Sequence, residues 1–334
     1  MIVHFGDPEP TRRCLDSLAG IDEVILVDQP PKLFGEHALV TTRIEPGANI
    51  GFAAACNRGV AATDAPFVLL LNNDAMLAPG SLEALRRALP GVPPDAAGAC
   101  LKLLCTDDRT LQSAAGLWFT RDGIGFPHAF GETDRGQYDC IPDDRIGVPS
   151  GAAALYRTDC WREAGGMDEN FFCYCEDGDL GLRMIAAGHR FAWLPEVRVL
   201  HELSSASGAH SLLKAYLVER NHVAAMIHTA PASALAAMPF VTFARLLRMG
   251  LDAARGNGAA AAITSASSPL EAARTLGRAW VDAIRMIPAA VAKRRAILAR
   301  DRAATDRVSR FLASRQVSLA EFVRSRSAGT RPDE

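Results

Sequence analysis

The sequence lacks the two glycine patterns by which α/β sheets most often hold nucleotides. No GxGxxG follows the first apolar segment, and no GxxxxGK[ST] occurs. Neither a dinucleotide at a Gly-rich turn nor a nucleoside triphosphate in a P-loop is therefore expected. Paired CxxC spacing is absent too. The eight cysteines (Cys14, Cys56, Cys100, Cys105, Cys140, Cys160, Cys173 and Cys175) are scattered, several within apolar segments, which argues against a zinc site and for a reducing compartment. Aromatic residues make up only 7% of the chain and are sparse in its C-terminal third, so stacking on nucleic-acid bases is not expected. No positively charged start followed by a short apolar stretch opens the sequence, and no unbroken apolar run reaches the roughly 18 to 20 residues that cross a bilayer. Neither a cleaved signal nor a membrane span is expected. With 49% apolar and 22% charged residues, disorder throughout is excluded.

What is present points to an enzyme-sized α/β protein. A chain of 334 residues exceeds what one core usually fills, so a large domain with an appendage, or two domains, is expected. The net charge is only -2 but unevenly spread: from Thr229 onward there are 17 Lys and Arg against 8 Asp and Glu. A basic appendage of this kind meets something anionic: the rest of its own chain, a membrane surface or nucleic acid.

The first hundred residues alternate as a parallel sheet with crossover helices does. Ile2 to Phe5 reads as a strand, Pro10 to Leu18 as a helix, Glu23 to Asp28 as a second strand, "ALVTTRI" as an extended segment and "GFAAACNRGVAATD" as a small-residue helix. The buried strand "PFVLLL" follows, then a helix over Pro79 to Leu89. Ligands in such folds sit at the carboxyl ends of the strands, where Asp28 and Asp74 lie. Between Cys105 and Val148 the periodicity dissolves, predicting a loop-rich or hairpin-bearing insertion. "SGAAALYR" resumes regular structure, and Leu180, Met184 and Ala187 mark a helix ended by Gly188, with Asp177 or Asp179 able to cap its start. Past His210 the chain is helical. Tyr216 to Ile227 and Ser233 to Leu251 are predicted helices, the latter kinked or restarted at Pro239; Gly256 to Ser268 reads as a joint; Trp280, Ile284, Ile287 and Val291 mark a further apolar face.

Three clusters have residue types suited to chemistry. In "FVLLLNNDAML" a buried strand ends in Asn72, Asn73 and Asp74. Asp74 is either part of a polar turn or one carboxylate of a divalent-ion site completed by ligand phosphates. In "CEDGDL" the acids Glu176, Asp177 and Asp179 crowd together. Their repulsion raises at least one pKa toward that of a general base, unless they merely complement the dipole of a helix start. His201 closes a β-branched run as Asp74 closes its own strand, so imidazole and carboxylate would share a metal if the strands converge.

In order and spacing, "EPGANIGFAAACNRGVAATDAPFVLLLNNDAML", "SGAAALYRTDCWREAGGMDENFFCYCEDGDLGLRMIAAGHRFAWLPEVRVLH" and "YLVERNH" together resemble the family 2 glycosyltransferases, especially the rhamnosyltransferase-like branch. The resemblance covers roughly residues 1 to 228. It implies a GT-A domain, a Rossmann-like, mixed but mainly parallel sheet that binds a nucleotide-diphospho-sugar, over 1–228. Residues 229–334 then form a basic α-helical extension. By resemblance Asp28, Asn49, Gly51, Asn57 and Asn73 lie at the donor, Asp74 and His201 hold Mg²⁺ or Mn²⁺, Asp177 is the catalytic base, and Glu176 and Asp179 support the acceptor or its loop.

The implied reaction is inverting transfer of a sugar, with rhamnose on dTDP the leading donor, to a glycan or lipid-linked acceptor in cell-surface polysaccharide synthesis. The implied location is cytoplasmic, peripheral at the inner face of the membrane. The extension would meet an anionic membrane surface, the catalytic domain or a second subunit in a homo-oligomer, rather than nucleic acid. The competing readings are a non-catalytic nucleotide-sugar-fold scaffold and a metal-dependent phosphohydrolase. The phosphohydrolase would be expected to carry more than the single strand-end acid of "NNDA".

Overall fold

The computed structural model describes residues 1–202, 211–255 and 268–322. These fall into two compact units: 1–117, 127–184 and 189–202 form the first, and 118–126, 185–188, 211–255 and 268–322 the second.

The first unit is built on one mixed sheet. Its strands are β1 (Ile2–Phe5), β2 (Ile25–Gln29), β3 (Thr42–Ile44), β4 (Phe67–Asn72), β5 (Ala75–Leu77), β6 (Ala96–Leu104) and β7 (Leu111–Ser113). After a separate two-stranded ribbon of β8 (Leu117–Phe119) and β9 (Gly125–Pro127), β10 (Ala153–Arg157) and β11 (Arg190–His201) complete it. The order is β3-β2-β1-β4-β10-β6-β11-β5, with β7 added to β6. Strands β3, β2, β1 and β4 run parallel, as the alternating pattern predicts. Two departures matter for the site. Strand β10 is inserted antiparallel between β4 and β6, and β5 turns back antiparallel along the end of β11.

Helices α1 (Pro8–Asp16), α2 (Gly51–Ala61), α3 (Ser81–Ala88), α4 (Thr158–Glu163) and α5 (Glu176–Ala186) follow the expected segments. The core packs Ile2, Leu26, Leu71, Ala99, Leu101, Leu155 and Val199 from the strands against Cys14, Leu15, Ala84 and Leu85 from α1 and α3. Leu70 and Leu71 project to opposite faces of β4 and both are buried. That explains why this strand reads as a continuous apolar run.

In the second unit α6 (Leu212–Thr229) packs along α8 (Pro269–Arg300), with α7 (Ala232–Ala254) and α9 (Ala304–Ser314) around them. Helix α6 thus falls in this unit, although the sequence reading sets the boundary after it. Ser268 opens α8 with a reciprocal capping box to Glu271. The buried line of α8 is Ala279, Ala283 and Ala290, one position off the face predicted from its larger apolar residues; Ile284 is exposed. The joint predicted from Gly256 lies, up to residue 267, outside the described residues.

Helix α7 runs through Pro239 without ending there. Contrary to the sequence expectation, it is long and apolar enough, by length and composition, to cross a membrane. The apolar run is broken by Thr242, Arg245 and Arg248, so a search for unbroken runs passes over it. Arg245 is buried among partners of its own unit. Its Nε donates to Asp122 at 2.7 Å and its Nη1 and Nη2 donate to Glu219 at 2.6 and 3.0 Å, while Thr242 also donates to Asp122 at 3.0 Å.

Candidate active site

The turn after β4 carries Asn73 and Asp74 and leads directly into β5, whose register pairs Ala75 with His201, the last residue of β11. Two strand ends 127 residues apart in sequence are thereby placed side by side. Nε2 of His201 lies 3.1 Å from Oδ1 of Asp74, both residues are buried, and the Asp74 carbonyl accepts from Glu202 N at 3.0 Å. Among the described residues Nε2 nevertheless has no hydrogen-bond partner. A carboxylate oxygen and an unpartnered imidazole nitrogen about 3 Å apart have the spacing of adjacent ligands on an octahedral ion with bonds of about 2.1 Å.

The other face of the imidazole is fixed by Gln112, a residue the sequence reading did not single out. Nδ1 lies 2.7 Å from Gln112 Oε1, and Gln112 Nε2 donates to the His201 carbonyl at 2.5 Å. That carbonyl can only accept, so it sets the amide orientation. Nδ1 then carries the proton, and the Nε2 lone pair faces Asp74. Gln112 sits on β7, which pairs with β6, the neighbour of β11. Among the described residues no group of three or more His, Cys, Asp or Glu side chains could hold a metal. Asp74 and His201 therefore fit an ion that takes most of its oxygen ligands from a bound phosphate.

Glu176 and Asp177 open α5, inside its first turn rather than capping it from outside. The approach is strained: Phe172, Tyr174 and Cys175 all have positive φ, at 65°, 68° and 70°. Non-glycine residues hold that conformation at a cost of about 1–3 kcal/mol each where the surroundings impose it, commonly at functional sites. One constraint is local: Phe172 O accepts from Ala53 N at 3.2 Å.

Asp177 is partly exposed, and each carboxylate oxygen accepts a backbone N–H, Oδ2 from Gly151 at 2.8 Å and Oδ1 from Gly178 at 2.7 Å. Desolvation raises its pKa, and these two bonds work against the rise by stabilising the anion. Glu176 is more deeply buried and its Oε2 has no partner among the described residues; desolvation first, and then the neighbouring Asp177, push it up to about 8.

Gly151 also ties this pair to the turn that carries Asp74. Ala152 O accepts from Asn72 N at 2.9 Å, so the loop that holds Asp177 lies beside the residue two before Asp74, at the carboxyl end of β4.

The remaining predicted residues act mostly as struts. Asp28 is fully buried; it accepts from Phe34 N and Gly35 N and from the Arg43 guanidinium, which shapes the loop after β2. Asn49 Oδ1 accepts from Gly51 N at 3.0 Å, and Ile50 N donates to Gln29 at 2.9 Å. Gly51 has φ +82°, and a Cβ there would lie 2.5 Å from the Phe172 carbonyl. Asn57 pairs with both backbone groups of Met167, at 2.9 Å each, pinning the segment before α5. Asn73 donates to Thr11 Oγ1 at 3.1 Å. Asp179 faces away into a buried ion pair with Arg183 at 2.8 Å, and Arg183 also donates to Gly166 O, so this acid supports the loop.

The mixed, mainly parallel sheet, followed by C-terminal helices, is a GT-A fold of the nucleotide-sugar transferases, as the family match and the solved structures below show. The chain belongs to the glycosyltransferase-like family 2, whose model matches residues 34–221. Over 182 residues it is 32% identical to the N-acetylglucosaminyl-diphospho-decaprenol L-rhamnosyltransferases of Mycobacterium tuberculosis strains CDC 1551 and H37Rv, an overlap of 48% of this chain and 59% of theirs. The chain thus spans about three fifths of the length of these curated relatives. Among solved structures, residues 1–349 of Staphylococcus aureus TarS match with a TM-score of 0.50 and 14% identity, covering 94% of this chain and 88% of that one. GalNAc-T7, solved with UDP, GalNAc and Mn²⁺, matches with a TM-score of 0.52 and 12% identity, covering 69% of this chain and 47% of that one. At these identities the two structures show the shared fold.

Proposed function

We propose that the protein is an inverting, metal-dependent glycosyltransferase that moves rhamnose from its dTDP donor to a lipid-linked or glycan acceptor at the cytoplasmic side of a membrane. The observation that carries this reading is the pairing of Asp74 Oδ1 with the unpartnered Nε2 of His201, set beside the raised carboxylate pair of α5. The printed activity of the mycobacterial relatives supports rhamnose and a lipid-diphosphate acceptor. The proposed division into a catalytic domain over 1–228 and a helical extension over 229–334 follows the same resemblance.

Asp74 and His201 would hold Mg²⁺ or Mn²⁺, which when bound supplies positive charge to the donor diphosphate. Asp177 accepts the proton of the acceptor hydroxyl, and desolvation, which raises its pKa, makes it a stronger base than a free carboxylate near neutral pH. The acceptor oxygen bonds to the anomeric carbon as the bond to the diphosphate oxygen breaks on the opposite face. The nucleoside diphosphate leaves, and the anomeric configuration inverts. Glu176, uncharged at this pH, spares the base a second negative neighbour. Asp28, Asn49, Gly51, Asn57 and Asn73 shape the loops around the donor from beneath.

The test is calorimetric binding of nucleotide sugars with and without Mg²⁺ or Mn²⁺, followed by transfer assays. Asp74→Ala is expected to lose metal-dependent donor binding. Asp177→Asn is expected to keep donor binding and lose transfer by about 10²–10⁴-fold. Full transfer in Asp177→Asn would remove the base assignment. Donor binding by the native protein with no transfer to any acceptor would favour a scaffold.

A further inference from the structure

We propose that the second unit docks on an anionic lipid surface through the outward face of α7, with that helix lying in the plane of the interface rather than across the bilayer. This deepens the membrane part of the reading above and does not depend on the donor or metal assignment.

Helix α7 is inside out. Phe240, Phe243, Leu247 and Leu251 are 79, 68, 55 and 47% exposed. They recur at i, i+3, i+7 and i+11, so they form one stripe about 16 Å long. Ala236, Ala244 and Ala254 are exposed as well, and Arg248, about 60° beyond Leu251 on the helical wheel, borders the stripe. Thr242, Arg245 and Asp252 sit on the opposite side and are buried. Soluble proteins rarely leave such an apolar strip uncovered.

Arg245 decides between lying in the membrane and crossing it. Its guanidinium is held by Asp122 and Glu219 within this unit. A spanning α7 would have to break those pairs and carry a bare cation into hydrocarbon, whereas an in-plane helix keeps them and still buries its Phe and Leu side chains.

Charge decides between lipid and a second copy. Helix α8 has seven basic residues against Glu271 and Asp282. On its exposed side Arg274 and Arg295 stand among exposed Leu270, Val281 and Ile284, and Arg278 and Arg285 share the single acid Asp282, leaving an excess of positive charge. Long cationic side chains that can extend from an apolar strip toward phosphate suit a lipid headgroup layer, while a second cationic copy would be repelled.

The test is co-flotation of the full chain with phosphatidylcholine vesicles, with and without about one third phosphatidylglycerol. The chain is expected to float with the anionic vesicles, far less with the neutral ones, and to be released by high salt or alkaline carbonate. The triple variant Phe240→Ser, Phe243→Ser, Leu247→Ser, all at exposed positions, is expected to lose at least tenfold in vesicle affinity. It should keep its unfolding midpoint and its donor binding. A second variant, Arg274→Gln, Arg278→Gln, Arg285→Gln, is expected to lose the preference for anionic lipid. Several results would overturn the proposal. These are absence of flotation, flotation unchanged in the Ser variant, retention through carbonate, or a dimer in sedimentation that the Ser variant abolishes while the native chain ignores vesicles. Because donor binding is read separately, failure here and failure of the transferase reading are distinguishable.

Discussion

Replacing Glu176 by Gln tests the electrostatics of the carboxylate pair that opens α5 through stability alone. The native carboxyl, ordinarily near 4.5, is pushed up to about 8 by desolvation and then by Asp177. Its folded-state pKa is raised, so the folded chain holds a proton that the unfolded chain releases between these two values. The contribution of this group is intact below about pH 4.5, declines through the interval and is fully lost as pH rises through about 8. At about 1.4 kcal/mol per pH unit, the accumulated cost near pH 7 is about 3 kcal/mol. Gln mimics the protonated form but brings an amide N–H to a position where Oε2 has no partner, which costs about 1 kcal/mol. Glu176→Gln is therefore expected to be more stable than the native protein by about 2 kcal/mol near pH 7 and no more stable near pH 5. Chemical denaturation at about pH 5, 7 and 9 provides the measurement. Parallel pH dependence in the two proteins, or a less stable variant near pH 7, would refute the reasoning.

Two further substitutions probe the supports of the site. Gln112→Leu removes the group that sets the His201 tautomer, so divalent-ion affinity, read from metal titration of donor binding, is expected to fall by about 10–100-fold with the fold intact. An unchanged affinity would show that His201 does not ligate. Gly51→Ala forces a Cβ against the Phe172 carbonyl at a φ that only glycine adopts freely. It is expected to destabilise the first unit by about 2–4 kcal/mol and to weaken donor binding through displacement of α2. A variant with native stability would mean that the contact relaxes at no cost.

The parts of this molecule legible in its sequence are those whose signal is local. Five apolar residues, Phe67 to Leu71, ended by two asparagines and an acid announce a buried strand that delivers Asp74 to an edge, and β4 does so. The end of β11 announces His201 in the same way. Their convergence was legible only as a condition, because it depends on β5 turning back along β11, a pairing set by three residues. Gln112 and Gly151 carry no pattern at all. The first sits on a three-residue strand inside the aperiodic segment, and the second acts through its backbone N–H, which no side-chain reading detects.

The second unit fails the pattern rules for a different reason. Ranking residues by hydrophobicity selects Trp280, Ile284, Ile287 and Val291 as the buried face of α8, yet Ala279, Ala283 and Ala290 are buried, because small side chains let two helix backbones approach closely. In α7 the departure goes further, with Arg245 inside and Phe240 outside. The rule that polar groups face outward assumes that water lies outside and that nothing inside can satisfy a charge. Asp122 and Glu219 remove the second assumption. The first holds only if the exposed stripe faces water, and four large apolar side chains in register are placed at lower cost against lipid.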